Sequence, residues 1–361
     1  MHTLTRRLVL VSLTVLLAAC GRSVERQVLL DTGERVILPL HERFLADSLA
    51  LSRAADTFCA NAKRDETDLA ALRDRWIAAM NAWEGIQSIQ FGPVAEDNQA
   101  WKVQFWPDRK NLIARKTQAF VQRDDISLAS LQEASVVIQG LSAIEYLLYD
   151  TPADRLWGDG AEQRYCRHLS AAAQNLHQVA DRLHRGWHPA GGNFLAVWTR
   201  PGPDNIHYPD AAAATAALIE TLVYGLEVIR RDKLERPLAL ATRGQPNTYL
   251  LEWWCSKQSL PAILINLRSL QQLFNAGGGT GLNTLLAERG NPRLADDINR
   301  RFDRALALGA TVEGIDAPSR DGTLSAVGQL YGLLGELLIH IKHDVPAALN
   351  ITLGFNANDG D

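Results

Sequence analysis

From residue 41 to the C-terminus, apolar residues recur at intervals of three and four, the spacing that gathers side chains on one face of an α-helix. Ala, Leu, Arg, Glu and Gln dominate these stretches, favouring helix, and no sustained alternation of apolar and polar residues marks a strand. The pattern predicts helices over about 41–61 and 67–89, the second stopped by Gly92-Pro93. A third begins after Trp106-Pro107, with Pro107 near its first turn and Asp108 placed to favour the helix dipole. The fourth contains Glu145 and is closed by Pro152; a fifth covers about 161–187 and ends in a Gly/Pro cluster. Further helices are expected over 210–234, 259–275, 293–311 and 324–349, with Gly277-Gly278-Gly279 as one break. Residues 28–39, VLLDTGERVILP, stay open between a short hairpin and a plain tether.

Helices of about twenty residues joined by short turns favour an all-α fold of two packed helical-bundle domains. The Pro- and Gly-rich stretch 199–209, TRPGPDNIHYP, separates a first bundle, 41–198, from a second, 210–361. A faint internal echo is compatible with a duplicated bundle. Ser135-Val136-Val137-Ile138-Gln139 compares with Ser325-Ala326-Val327-Gly328-Gln329, and each of the two helices carries one carboxylate, Glu145 or Glu336, in an apolar setting.

The first twenty residues follow a different pattern. Arg6 and Arg7 precede the apolar run 8–17, which is shorter than the roughly 20 residues a bilayer requires. Leu17-Ala18-Ala19-Cys20-Gly21 resembles a bacterial lipoprotein processing box. The expectation is a signal peptide over 1–20, lipid chains on Cys20, and a tether over 21–40 that holds the folded chain at a membrane surface. With no acidic residue directly after Cys20, an outer-membrane lipoprotein facing the periplasm is expected. A formal net charge of −4 argues against a nucleic-acid partner. In an oxidising compartment Cys59, Cys166 and Cys255 allow one bridge and one thiol; Cys59 with Cys166, both in the first half, is the expected pair.

Candidate chemistry centres on Glu145, the only charge between Glu133 and Asp150. A carboxylate among Ile138, Leu141, Ser142, Leu148 and Tyr149 loses hydration and needs a hydrogen bond, a cation or a proton in compensation. A metal half-site would require a His or a second acid three or four residues away, and Ser142 stands there instead. The alternative is a carboxylate bonded to Ser, Tyr or Arg of a facing helix. Glu336 and His340, four apart, form a second candidate pair for a transition metal, against a plain helix-end role for His340. Trp76 and Trp83 share a helix face and read as core, while Trp253-Trp254 before Cys255-Ser256 reads as a loop suited to a contact surface. His-Glu-x-x-His, Gly-x-Ser-x-Gly and phosphate-cradling motifs are absent.

GLSAIE, residues 140–145, resembles the imelysin signature of Gly, any, His, any, any, Glu, with Ser142 in the His position. LGFNANDGD at 353–361, WIAAMNAWEGIQSIQFGPV at 76–94 and KLERPL at 233–238 are similar to that family's C-terminal, second-helix and middle segments, in the family's order. The resemblance implies an all-α fold, a bacterial envelope location and a link to iron uptake, hence partners among envelope iron-uptake proteins. It also implies, for some members, a metallopeptidase using iron or zinc. Only Glu145 carries over as a ligand, and Gln87 stands near where many members carry an acid, so hydrolysis by a metal held by about three protein ligands is not expected. The expected role is instead binding of a ligand or partner in metal acquisition, in a pocket at Glu145 and Ser142 walled by Gln87, Trp83, Trp106 and Asp108. A peptidase and a structural envelope protein are the alternatives.

Overall fold

The computed structural model describes residues 23–151, 154–157, 163–242, 244–312, 314–315 and 323–354; the proposed signal and Cys20 lie outside them, as does most of the 353–361 segment. All regular structure among the described residues is helical. The helices of the first half are α1 (Val24–Thr32), α2 (Leu38–Ala60), α3 (Glu66–Ile86), α4 (Gln99–Val103), α5 (Leu112–Phe120), α6 (Leu128–Glu133), α7 (Gly140–Glu145), α8 (Asp154–Trp157), α9 (Gln163–Trp187) and α10 (Phe194–Thr199). The second half adds α11 (Ala211–Glu227), α12 (Arg236–Leu238), α13 (Ser259–Phe274), α14 (Leu282–Glu288), α15 (Pro292–Gly309), α16 (Thr323–Ile339) and α17 (Val345–Leu349).

The pairing of α2 with α9 is the most extensive in the molecule. In α9, Leu169, Ala172, Ala173, Leu176, Val179, Ala180, Leu183 and Trp187 are buried at three- and four-residue spacing, while Arg167, Gln178, Arg182 and Arg185 face water. In α2, Phe44, Ser48, Leu51, Ala55 and Phe58 repeat that spacing. The two helices run antiparallel. His41 packs on Trp187 at 5.7 Å between ring centroids, Ser48 meets His177, and Cys59 and Cys166 form a disulfide with Cα atoms 5.6 Å apart. Helix α3, started by a capping box of Asp65 and Asp68, packs on α2 with one side and on α13 with another. The second half gathers α11, α13, α15 and α16. The stretch Ala211–Leu238 is long and apolar enough to cross a membrane, yet Ala214, Leu218, Leu222 and Leu226 on it are fully buried against neighbouring helices.

Two expectations are corrected. The segment expected as a tether over 21–40 is helical from Val24, continuing through a π-helical turn, Gly33–Ile37, into α2. Val28, Leu29, Thr32, Val36 and Ile37 keep helical spacing across Gly33 and are all buried, so burial outweighs the turn character of Asp-Thr-Gly. The third helix starts at Leu112, not directly after Pro107, because the Asp108 carboxylate accepts from Leu112 N and Ile113 N at 2.7 and 2.9 Å and turns the chain before the helix begins.

Candidate functional site

Helix α7 enters the site through Gly140. Its φ is +74°, and a Cβ there would stand 2.3 Å from the carbonyl oxygens of both Lys102 and Val103, so only glycine lets α7 lie against α4. Two residues on, Ser142 Oγ accepts from Phe105 N–H at 3.1 Å. Glu145, at the end of α7 and just before the π-helical turn Tyr146–Asp150, is buried. Its Oε1 accepts from Ser256 N–H at 3.0 Å and Ser256 Oγ–H at 2.6 Å, hydrogen bonds from a loop 111 residues away in sequence. Burial raises its pKa to about 7, with Glu252 and Asp150 adding to the rise and Ser256 opposing it.

Ser142 and Glu145 line a cleft of ≈ 450 Å³, a size suited to a small ligand. Asp108 and Asp150 add acidic groups, Arg109 and Lys110 basic ones, and Tyr146, Tyr249 and Trp254 aromatic walls. Tyr249 and Trp254 pack edge to face at 4.8 Å, Tyr249 being largely exposed. Cys255 also lines the cleft, and burial together with Glu145 and Asp150 keeps its thiol protonated.

Behind the cleft lies a fully buried charge cluster. Lys233 Nζ stands 2.8 Å from Glu84 Oε2 and 2.5 Å from Glu252 Oε2, and donates to Gln87 Oε1 and Asn266 Oδ1 at 2.8 and 2.6 Å. Trp253 Nε1 donates to Glu84 Oε1, and Gln104 Nε2 and Gln87 Nε2 to Glu252 Oε1. Trp83 Nε1 and Gln87 Nε2 both donate to Gln104 Oε1. One ammonium thus serves two carboxylates. Burial, then Glu252, raises Glu84 to about 7 against the pull of Lys233; burial works against the Lys233 charge, but the two acids outweigh it and hold its pKa high. The loop 249–258 joins the two regions: Glu252 and Trp253 enter the cluster, Trp254 and Cys255 the cleft, and Ser256 holds Glu145.

The sequence model of the imelysin family matches residues 37–332. The chain belongs to the imelysin family. It is 24% identical over 316 residues to Iron-regulated protein A of Synechococcus elongatus, covering 83% of this chain and 81% of that one. Its fold is that of an imelysin-like protein from Psychrobacter arcticum 273-4, with a TM-score of 0.76 at 20% identity over 92% of this chain and 97% of the other. A putative iron-regulated protein A precursor from Parabacteroides distasonis shares it too, with a TM-score of 0.76 at 17% identity over 91% and 96%.

In this imelysin the residues expected to form one pocket divide between two places. Glu145, Ser142 and Asp108 line the cleft; Trp83 and Gln87 belong to the buried cluster, because both donate to Gln104 and Gln87 also reaches Glu252. Trp106 instead fastens the 104–111 loop by donating to Leu250 O at 3.1 Å. Trp76 and Trp83 are core, and Trp253, expected in a contact surface, is buried edge-on to Trp76 at 5.5 Å. The Glu336 and His340 pair is engaged elsewhere: Glu336 is exposed and paired to Arg301, and His340 Nδ1 lies 2.6 Å from Asp344. The metal that the family signature implies finds no imidazole among the described residues of the cleft, and no three potential ligand atoms there lie close enough together to hold it. Ser142 already accepts a backbone N–H, Glu145 Oε1 is taken by Ser256, Asp108 caps α5, and the Cys255 thiol keeps its proton.

Lys233, Glu252, Gln104, Asn266 and Ser256 were not singled out by the sequence. Glu84 carries the signal that marks Glu145: it is the only charge between Arg75 and Glu96. Glu252 is likewise alone between Arg243 and Lys257. Lys233 is hidden among Arg230, Arg231, Asp232, Glu235 and Arg236.

Proposed function

We propose that this imelysin binds a small ligand in the Glu145 cleft as a step in metal acquisition, iron foremost, and does not hydrolyse peptides. The observation that carries the reading is Ser142 in the signature's His position, with its hydroxyl accepting from Phe105 N–H and no imidazole among the described residues that line the cleft with Glu145. The name of the Synechococcus relative, an iron-regulated protein, favours iron. Aromatic walls with acids and bases at the rim suit a ligand that has both flat apolar and charged groups, such as an iron complex of an organic chelator. The protein is anchored through Cys20 to the outer membrane and faces the periplasm; the Leu-Ala-Ala-Cys box supports this, and so does the Cys59–Cys166 disulfide, a bond that persists in oxidising compartments.

Thermal melting with ferric complexes of carboxylate and hydroxamate chelators, beside a peptidase assay on unfolded peptides, tests the reading. The expected result is a melting temperature raised by a ferric complex in the wild type, no rise in Tyr249→Ala, and no cleavage. Peptide cleavage that a chelator stops and Glu145→Ala abolishes overturns it. The anchor has its own check: Cys20→Ser should release the protein from the membrane fraction.

A further inference from the structure

We infer that Glu42, His184 and His188 form a binding site for a divalent late transition metal, zinc foremost, at the end of the α2–α9 pair opposite the disulfide. No sequence motif announces it, because Glu42 lies on a different helix from the two histidines, and it stands independently of the cleft and of the function proposed there.

The three side chains each bring one ligand atom, and these atoms all lie within 4.8 Å of one another. Two imidazoles and a carboxylate are a donor set that zinc accepts, with a fourth position left to water. His184 and His188 are four apart, hence one above the other on the same face. His188 N–H donates to His184 O at 2.9 Å, which carries the α9 turn one residue past Trp187, and the two rings stand 5.1 Å apart at 34°. A metal at about 2.0–2.2 Å from each ligand brings ligand atoms to about 3.3 Å of one another, so the side chains close by about 1.5 Å at most. Glu42 is exposed and both histidines are half-buried, which leaves them room for that movement.

The backbone beneath them has little freedom. Helices α2 and α9 pack along their whole length, are tied by Cys59–Cys166 at the far end, and keep register through Ser48 with His177 and His41 with Trp187. Ligands on two such helices are held in advance of the ion. The neighbouring charges suit a cation: Asp181, one turn before His184, is a second carboxylate near it, and it pairs with Arg185. One local bond opposes ligation, since His188 Nδ1 accepts from Ala190 N–H at 3.1 Å. If the ion takes Nδ1 that hydrogen bond opens, and it lies in an exposed turn where water replaces it.

The test is a zinc titration of the full mature chain after chelator dialysis, read by a chromophoric competitor and repeated with cobalt for its ligand-field absorption. One ion per chain is expected, with a Kd of about 1 µM or tighter, corresponding to roughly 8 kcal/mol. Glu42→Gln, a surface change that leaves the fold intact, and His188→Ala are each expected to weaken binding at least tenfold, while Glu145→Gln leaves it unchanged. Wild-type affinity in both Glu42→Gln and His188→Ala, or a wild-type Kd above about 100 µM, overturns the site.

Discussion

Lys233 is a single cation between two carboxylates with almost no access to water, and removing it leaves Glu84 and Glu252 facing each other in the core. Lys233→Met is expected to lower stability by about 3–5 kcal/mol in urea unfolding, the cost of an uncompensated buried charge, and by more at pH 8 than at pH 5, where Glu84 can take up a proton. Glu145 has a milder form of the same problem. Its folded pKa of about 7 lies above the ordinary 4.5, so the folded state binds the proton more tightly than the unfolded one. The stability this gives is full below pH 4.5 and is lost as pH rises through about 7. Relative to Glu145→Gln, the wild type therefore loses roughly 3 kcal/mol at most over that window, at 1.36 kcal/mol per pH unit. The wild type alone does not show this slope cleanly. His41 and His168, lowered to about 4 by burial, lose their stabilisation as pH falls from 6.5, opposite in sign to Glu145 and Glu84. Only the difference between variant and wild type isolates position 145, and a difference equal at pH 4.5 and pH 8 contradicts the assignment.

At the scale of elements, three helices among the described residues widen into a π-helical turn that ends two residues before a proline in the continuing helix: Gly33–Ile37 before Pro39, Val228–Glu235 before Pro237, and His340–Asp344 before Pro346. A proline cannot donate to the carbonyl four residues back, and its ring crowds that carbonyl; a widened turn relieves the crowding and frees the oxygen. In a further π-helical turn, Tyr146–Asp150, Leu148 O is taken by Arg73 Nε and Nη2 at 2.9 and 2.7 Å. Two of these turns serve the site, since Lys233 lies inside one and Glu145 immediately before another. The start of α7 is just as constrained. Gly140→Ala sets a methyl against two backbone carbonyls at positive φ, and is expected to cost at least about 2 kcal/mol in urea unfolding and to abolish ligand binding in the cleft. A melting temperature within a degree of wild type contradicts this. These details mark where sequence stops being legible. The three- and four-residue period of 169, 172, 176, 179 and 183 places α9 because burial rewards that face wherever it folds. The cluster is different: Glu84, Lys233 and Glu252 lie 149 and 168 residues apart from first to second and first to third, on α3, the 228–235 turn and the 249–258 loop, and only the tertiary fold brings them together.

For the whole molecule, α1 and α2 act as one strap across both halves. Helix α2 packs on α3 and α9, whereas α1 packs on α11 and α14 of the second half. Asp31 Oδ2 accepts from Thr280 N–H at 2.6 Å, and Glu25 pairs with Arg289, so the strap is fastened by polar contacts at the second half as well as by Val28, Leu29, Val36 and Ile37, each at most 3% exposed. The buried Lys233 cluster makes a second connection, from α3 through the 228–235 turn to α13. With these links, the hydrogen bonds of Ser256 to Glu145 and Trp106 to Leu250, and one continuous buried core, the halves are expected to melt in a single calorimetric transition. Deleting residues 23–37 removes the first link and uncovers the faces of α11 and α14. Four aliphatic side chains at about 1.5 kcal/mol or more each give a loss on the order of 5 kcal/mol, enough to lower the melting temperature by about seven degrees or to split the transition with the second half melting first. The same deletion leaves α2, α9 and the Cys59–Cys166 bridge intact, so zinc binding at Glu42, His184 and His188 should survive it. If the shortened chain melts where the intact one does, residues 23–37 are a tether after all, and the halves are held by the Lys233 cluster, the Glu145–Ser256 and Trp106–Leu250 hydrogen bonds and the packing of α3 on α13.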